Sequence, residues 1–223
     1  MKPDVYILKY GSVADLPGSA LGKAMDVRST VGLIVYEKSG RKEGMVVDTG
    51  RGYDWQEVTA NLKKAGLSPA DISHVLLTHQ HLDHIENLAR FPQAIVVNFG
   101  LASYLDRPDY GAGQLYKTGT IEIPEVSYLK VESAHTRKDS VYVIDSENEG
   151  RVVFVGDLLF GLPPQLPQEL ETAIDKSASV DPVARRNFVK TLPQILPDAS
   201  KFYLGHHPEP VSQAQLRKYL SVI

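Results

Sequence analysis

The segment Thr78–His84, THQHLDH, places four side chains of the metal-ligand type directly after the apolar run VLL. Three of the chain's seven histidines and one aspartate lie within its last six positions. In an extended segment, residues two positions apart point to the same side, so His79 and His81 share one face as the chain leaves a strand. The pattern predicts a strand that ends at a pocket, with Asp83 and His84 following where the chain turns.

The chain contains no cysteine, so a bound metal ion would have only nitrogen and oxygen ligands. Imidazole and carboxylate ligands together suit a divalent ion such as Zn²⁺, Mn²⁺ or Fe²⁺. Four ligand-type side chains this close together cannot all bind one ion in a regular geometry. The sequence therefore predicts either a second ion or further ligands from distant segments.

Three later segments repeat the arrangement of a strand followed by a ligand-type side chain. His135 lies in a loop between two predicted strands, Asp157 follows the β-rich run RVVFVG, and His206 follows KFYLG. Taken singly, each has an ordinary structural explanation, because a lone histidine is usually not a ligand and a lone aspartate often forms a turn or a helix cap. Together with THQHLDH, they extend the candidate ligand set over more than half of the chain.

The order of hydrophobic and turn-forming segments indicates a fold with both strands and helices. VGLIVYEKSGRKEGMVVDTG predicts a β-hairpin with the turn SGRKEG. Further strands are predicted at Val5–Tyr10, His74–Leu77, Ala94–Asn98, Ile121–Ile123, Val126–Val131, Ser140–Asp145, Arg151–Val155 and Lys201–Leu204. Helices are predicted from the cap Asp54 to about Ala65, over IENLARF, from Pro182 after the cap Asp181, and from near Ser212. This order suggests two mixed sheets packed face to face with helices outside, although the pattern alone supports only an α/β or an α+β fold.

Length and composition favour one domain spanning residues 1–223, because a chain of this size with 43% hydrophobic residues buries a substantial core. The net charge of -3 gives no general attraction to nucleic acid or to anionic membranes. No apolar run approaches the roughly 20 residues that span a bilayer, and the first residues do not resemble a secretory signal. We therefore expect a cytoplasmic protein with no membrane partner and no large nucleic-acid-binding surface; a homodimer stays open.

Two segments rich in Gly, Ser or Pro, 11–28 and 161–180, are predicted to be irregular loops that form walls of a binding pocket. Farther along the chain, Arg185, Arg186 and Lys190 are predicted to form the solvent-exposed face of a helix.

THQHLDH resembles the HxHxDH signature of the metallo-β-lactamase fold superfamily. His135, Asp157 and His206 follow in the order and rough spacing that this superfamily uses, and VVDTG at Val46–Gly50 resembles its early motif. The match extends over nearly the whole chain. Within the superfamily, DHIENLARFP, HTRKDSVYVI, VVFVGDLLF and YLGHHPEP are most similar to a small subgroup related to metallo-β-lactamase domain-containing protein 1 of animals.

The resemblance implies an α+β fold of four layers, an αββα sandwich, with a dinuclear metal site at one edge. By motif, the first ion takes His79, His81 and His135, the second takes Asp83, His84 and His206, and Asp157 bridges both. Zinc is the expected metal, with Fe²⁺ and Mn²⁺ as alternatives, and a hydroxide between the ions is the expected nucleophile. Asp83 and Asp157 are the implied catalytic carboxylates, and Asp48 is expected to orient a ligand. His206 is preferred over His207 because the family ligand directly follows a glycine.

The implied reaction is hydrolysis of an ester, thioester or phosphodiester bond in a small molecule or an oligonucleotide. Lactonases of this superfamily carry a tyrosine shortly after the bridging aspartate, whereas this chain reads Asp157-Leu158-Leu159-Phe160. Two alternatives stay open on sequence alone. One is an oxygen-dependent enzyme of the same fold with a single iron, and the other is a metal-stabilised binding protein without turnover.

Overall fold

The computed structural model describes residues 1–15, 25–99, 101–104, 125–166, 176, 179–199 and 201–221. Its strands are β1 (Asp4–Lys9), β2 (Ser12–Asp15), β3 (Met25–Arg28), β4 (Val31–Lys38), β5 (Arg41–Val47), β6 (Ile72–Leu77), β7 (Ile95–Asn98), β8 (Leu101–Tyr104), β9 (Val126–Glu132), β10 (Lys138–Ser146), β11 (Gly150–Gly156) and β12 (Lys201–Leu204). Its helices are α1 (Trp55–Lys64), α2 (Leu82–Ile85), α3 (Pro182–Ile195) and α4 (Gln213–Leu220), with 3-10 turns at Gly52–Asp54, Pro69–Asp71 and Leu88–Arg90.

The strands of the described chain form two large mixed sheets and a small one. The first sheet has six strands in the order β1-β4-β5-β6-β7-β8, and β5, β6 and β7 run parallel. The second has four strands in the order β12-β11-β10-β9, and β11 and β12 run parallel. Strands β2 and β3 pair as an antiparallel ribbon. In both large sheets, the parallel strands end at an edge where their C-terminal residues lie close together.

Alternation along the strands buries both faces of each large sheet. On β4, Ile34 lies in a cluster shared with Tyr142 and Phe154 of the second sheet, whereas Leu33 and Val35 face the opposite side and pack in a cluster with α1. Successive strand residues point to opposite faces, so apolar residues at every position indicate a sheet covered on both sides.

The three apolar clusters correspond to the three interfaces of a four-layer sandwich. One cluster joins the two sheets, a second joins α1 to the first sheet, and a third joins α3 and α4 to the second sheet. The predicted pair of mixed sheets with helices outside is therefore confirmed, as is the αββα, α+β architecture.

Hydrogen bonds link the two sheets close to the end of β6. The buried Tyr142 hydroxyl lies 3.1 Å from the carbonyl oxygen of Leu77 and 3.2 Å from that of Val97. The backbone N–H of Ser140 donates to the carbonyl of Thr78 at 2.7 Å. These contacts fix the first sheet against the second where the chain enters THQHLDH.

The observed elements correct several details of the sequence prediction. The predicted irregular segment 11–28 contains the paired strands β2 and β3, with residues 16–24 outside the described part. The hairpin turn is shorter than SGRKEG, since Ser39 and Gly40, both with positive φ, connect β4 directly to β5. Asp54 ends a 3-10 turn, and its carboxylate accepts the N–H of Arg51 instead of capping α1.

Other predictions fall on helices and on segments that are only partly described. Strand β8 was not predicted, and the helix predicted over IENLARF is replaced by α2 and a 3-10 turn. The predicted strand Ile121–Ile123 and most of the predicted loop 161–180 lie outside the described residues. Asp181 caps α3 as predicted, accepting the N–H groups of Val183 and Ala184. Ser212, near which a helix was predicted to begin, caps α4 by accepting the N–H of Gln215. No helix within the described ranges is both long and apolar enough to cross a membrane.

The Tyr142 hydroxyl provides a test of the contact between the sheets. We expect Tyr142→Phe to lower the free energy of unfolding by about 1–2 kcal/mol, because buried carbonyl groups at Leu77 and Val97 lose a donor. Tyr128→Phe, on the neighbouring strand, serves as the control and should change it by less than about 0.5 kcal/mol. Urea unfolding followed by circular dichroism measures both. Equal losses in the two variants would contradict the assigned role of the hydroxyl.

Candidate metal centre

The candidate ligands meet where strands of the two sheets end. His79 follows β6, and His81 immediately precedes α2. From the second sheet, His135 follows β9, Asp157 directly follows β11, and His206 follows β12. Each strand delivers its side chain at the same edge of the sandwich.

The seven predicted ligand residues form two groups within which the ligand atoms lie no more than 4.8 Å apart. The groups match the division that the motif implied, since each contains the three residues assigned to one ion. The first group is His79, His81, His135 and Asp157, and the second is Asp83, His84 and His206.

The carboxylate of Asp157 lies beside imidazoles of both groups, and its Oδ2 is also 3.2 Å from Nε2 of His206. Its Oδ2 lies 3.6 Å from Nε2 of His79 and 3.4 Å from Nε2 of His135. Its Oδ1 lies 3.2 Å from Nε2 of His84 and 3.1 Å from Nε2 of His206. A carboxylate in this position is suited to bridge two cations.

Four polar atoms in this cluster are buried without a hydrogen-bond partner: Nε2 of His79, Oδ2 of Asp83, Nε2 of His84 and Oδ1 of Asp157. A buried polar atom without a partner costs about 1–3 kcal/mol, and native proteins keep few of them. Divalent cations would satisfy all four, because imidazole nitrogen and carboxylate oxygen are their usual protein ligands. The donor set therefore fits a metal centre.

Asp48 supports the second ligand group through a contact with His84. It is buried, has a φ of 54°, and its Oδ2 lies 2.8 Å from Nδ1 of His84. The same carboxylate accepts the backbone N–H and the hydroxyl of Thr78 at 2.8 and 2.7 Å. These bonds fix the His84 ring with Nε2 directed towards Asp157, as expected for a residue that orients a ligand.

The Nδ1 atoms of two other imidazoles are also engaged outside the cluster. Nδ1 of His206 donates to the carbonyl of Arg28 at 2.8 Å, and Nδ1 of His135 lies 3.2 Å from the hydroxyl of Ser179. Both contacts leave Nε2 for the interior of the site. Arg28 ends β3, so the segment predicted to form a pocket wall does contact the candidate site.

The electrostatics of the cluster favour neutral ligands on one side and a charged carboxylate at the centre. Burial lowers the pKa of His79 well below its usual value and lowers that of His135 to about 4. Burial also disfavours the charged forms of His84 and His206, but the carboxylate of Asp157 outweighs it and raises both pKa values. Burial raises the pKa of Asp157, yet the imidazoles of His206 and His84 lower it well below the usual range. Asp157 is therefore ionised.

One buried acid beside the site was missed by the sequence analysis. Asp139 accepts hydrogen bonds from the backbone N–H and the hydroxyl of Thr136, which fixes the loop that carries His135. Burial raises the pKa of Asp139 to about 6. Its position three residues after Thr136 is compatible with an ordinary turn, so the sequence alone gave no reason to select it.

Phe160 and Arg185 lie directly behind the ligands. The Phe160 ring stacks against the His206 ring at 6.0 Å between centroids and meets the His135 ring edge-on at 5.2 Å. The guanidinium of Arg185 lies 5.0 Å from the centre of the Phe160 ring, and its Nη1 donates to the carbonyl of Leu158 at 2.8 Å. Arg185 therefore supports the turn that follows Asp157.

The prediction that Arg185 belongs to a solvent-exposed helix face is wrong, because only 2% of its surface is accessible. Its neighbour Arg186 is half-buried and Lys190 is exposed. Helix periodicity could have revealed the burial, since Arg185, Val189 and Leu192 are spaced four and three residues apart on one face of α3. Val189 and Leu192 belong to the apolar cluster beneath the second sheet.

His206 and His207 have different surroundings. Nε2 of His206 lies beside Asp157, whereas Nδ1 of His207 donates to the carbonyl of Glu209 at 2.8 Å and His207 belongs to neither ligand group. Gly205 is required for this arrangement, because a Cβ atom there would collide with Oδ1 of Asp157. The preference for His206 over His207 as a candidate ligand agrees with this geometry.

A family model described as the metallo-beta-lactamase superfamily matches residues 25–108, which include THQHLDH. This segment of the chain is therefore similar to the metallo-beta-lactamase superfamily. Metallo-beta-lactamase domain-containing protein 1 of Xenopus laevis is 33% identical over 119 residues, 51% of this chain and 49% of that protein. An atrochrysone carboxyl ACP thioesterase of Passalora fulva is 25% identical over 142 residues, 62% of this chain and 41% of that protein. The chain thus spans about half the length, or less, of these curated relatives.

The fold of the chain is also similar to that of solved structures. A quorum-quenching N-acyl homoserine lactone lactonase superposes with a TM-score of 0.61 at 18% sequence identity, covering 95% of this chain and 99% of that one. At this identity the likeness concerns the fold. Two of the three proteins named are hydrolases, a thioesterase and a lactonase.

The burial of Arg185 predicts a specific loss of stability. Arg185→Met keeps an unbranched apolar stem but removes the donor to the Leu158 carbonyl, so we expect the free energy of unfolding to fall by about 1.5–3 kcal/mol. Lys190→Met, on the exposed side of the same helix, should change it by less than about 0.5 kcal/mol. Chemical unfolding of both variants measures the difference. An Arg185→Met variant as stable as the control would show that the buried guanidinium contributes nothing.

Proposed function

We propose that this chain is a metal-dependent hydrolase that holds two divalent cations, zinc in the first instance, and cleaves an ester, thioester or phosphodiester bond. The observation that carries the proposal is the position of Asp157, whose carboxylate lies within 3.6 Å of imidazoles from two separate ligand groups. The four buried atoms without hydrogen-bond partners support it, because each is an acceptor or a lone-pair donor suited to a cation.

The candidate ligands are assigned to two cations. His79, His81 and His135 would hold one cation, Asp83, His84 and His206 the other, and Asp157 both. Bound cations would supply an activated water as nucleophile and stabilise the negative charge that develops on the substrate oxygen.

Asp83 is suited to move the proton of the reaction. Its side chain is 17% exposed, more than those of Asp157, His84 and His206, and its Oδ2 lies 3.4 Å from Nε2 of His84. We assign to this carboxylate the acceptance of a proton from the attacking water and its delivery to the leaving group. Asp157, which is almost fully buried, keeps its negative charge between the ligand groups.

The relatives support hydrolysis without fixing the bond. The thioesterase of Passalora fulva is named for thioester cleavage, and the structurally similar lactonase is named for opening a cyclic ester. In this chain, Phe160 packs against the candidate ligands with a ring that lacks a hydroxyl. A phenol group at that position is therefore not part of the proposed chemistry.

The neighbouring histidines provide a matched test of the metal centre. Purified wild-type protein should contain close to two divalent ions per chain by elemental mass spectrometry. We expect His206→Ala to lose at least one of them, because His206 belongs to the second ligand group. His207→Ala, equally buried and one residue away, should retain both.

Asp157→Ala should likewise empty at least one position. Full occupancy in Asp157→Ala, or equal losses in the two histidine variants, would be incompatible with the proposed ligand set. The same measurement distinguishes zinc from iron and manganese.

Activity is tested with a panel of a p-nitrophenyl ester, an acyl thioester and a bis-p-nitrophenyl phosphodiester. We expect turnover of at least one class by the wild-type protein. Turnover should be lost after removal of metal by a chelator and restored by adding Zn²⁺. Asp83→Asn should lower kcat by a factor of ~10²–10⁴, the usual contribution of general acid–base catalysis. Hydrolysis that survives both chelation and Asp157→Ala would exclude this site as its source.

A further inference from the structure

We infer that the cleft beside His81 is an anion subsite, so that the substrate carries a carboxylate or phosphate group next to the bond that is cleaved. This inference rests on the proposed function and specifies the substrate class of the same site. Six residues line the cleft: Gln80, His81, Asn98, Thr136, Arg137 and Lys138.

The cleft opens beside the candidate metal centre, because His81 lines it. It has a volume of about 530 Å³, within the range of small-molecule sites. His81, in its wall, is half-buried, whereas the other candidate ligand imidazoles, His79, His84, His135 and His206, are almost fully buried. A molecule in the cleft therefore contacts the one candidate imidazole that is open to solvent.

The charged side chains among the described residues of the cleft wall are both positive. Arg137 and Lys138 are exposed on the loop and strand that follow His135, and none of the lining residues that the structure describes is an aspartate or a glutamate. Within the described residues, neither cation forms an ion pair with a carboxylate. Their charges are thus free to act on a ligand.

A third cation strengthens the positive field. The ammonium of Lys130 lies 5.4 Å from the centre of the Phe99 ring, and that of Lys138 lies 5.7 Å from the same ring. Both ammonium groups lie near the same ring, so Lys130 adds positive charge on the side of the cleft where Lys138 lies. The chain as a whole carries a net charge of -3, so this concentration of positive charge is local and not a property of the whole surface.

The neutral side chains of the wall suit the same ligand. The amides of Gln80 and Asn98 offer N–H groups that can donate to an oxyanion. The hydroxyl of Thr136 is already engaged, because it donates to Asp139. The backbone of Lys138 in turn donates to the Thr136 oxygen, which holds Arg137 and Lys138 on a fixed loop.

The test compares three acetyl thioesters that differ in the group on the thiol: 3-mercaptopropionate, 2-mercaptoethyl phosphate and neutral 2-mercaptoethanol. In the wild-type protein, we expect kcat/KM for at least one charged compound to exceed that for the neutral one. The ratio between charged and neutral compounds should fall roughly tenfold in Arg137→Gln/Lys138→Gln, about two- to fivefold for each exposed charge removed. Raising the salt concentration should lower the wild-type ratio in the same direction.

The matched control is Lys63→Gln/Lys64→Gln on α1, which removes two exposed charges elsewhere on the chain. This variant should keep the wild-type ratio. The carboxylate and phosphate compounds distinguish the two anions, since the one with the larger ratio identifies the preferred group. Equal kcat/KM for charged and neutral compounds in the wild-type protein, or an equal fall in the control, would overturn the inference.

A binding measurement separates this inference from the proposed function. If none of the thioesters is hydrolysed, the binding of benzoate, phenyl phosphate and neutral benzamide to the metal-loaded protein is compared by calorimetry. Binding of either anion that weakens several-fold in Arg137→Gln/Lys138→Gln, but not in the α1 control, would support the subsite even without turnover. Anion binding that is unchanged in the double variant, or absent, would overturn it.

Discussion

A single buried carboxylate, that of Asp157, organises the candidate site. Its two oxygens face imidazoles from two ligand groups at 3.1–3.6 Å. A buried negative charge is costly unless it is paired, and here the pairing partners are imidazoles or, on the proposed function, cations. Four candidate ligand imidazoles contact this carboxylate, so a shift of Asp157 would disturb both ligand groups.

Three neighbouring residues fix the position of Asp157 and of the turn that follows it. Gly205, on the adjacent parallel strand end, leaves no room for a side chain next to the carboxylate. Arg185 binds the carbonyl of Leu158, and Phe160 packs between the rings of His135 and His206. The position of the Asp157 carboxylate thus depends on the packing of residues behind it. One of these is the guanidinium of Arg185, which is buried beside the apolar cluster of the second sheet.

Local sequence patterns predicted most of the strands, the helix cap at Asp181, the start of a helix near Ser212, and the seven residues that meet at the site. The candidate site residues could be found because a strand followed by a ligand-type residue can be recognised locally. The resemblance to the HxHxDH motif then indicated which distant residues belong to the same site. The burial of Asp139 depends on which elements cover it, and no local pattern reports this, whereas the spacing of Arg185 with Val189 and Leu192 on α3 does indicate that Arg185 is buried. The pairing of β2 with β3 was missed because short strands separated by a Gly- and Ser-rich segment give a weak periodic signal.

The candidate ligands come from both halves of the sandwich. THQHLDH extends from the first sheet, whereas His135, Asp157 and His206 extend from the second. On the proposed function, bound cations would link the two sheets. A ligand that binds only the folded chain shifts the folding equilibrium towards the folded state. Resistance to heat would then rise with the concentration of available cation, so the folded lifetime of this protein in a cell would follow its metal supply.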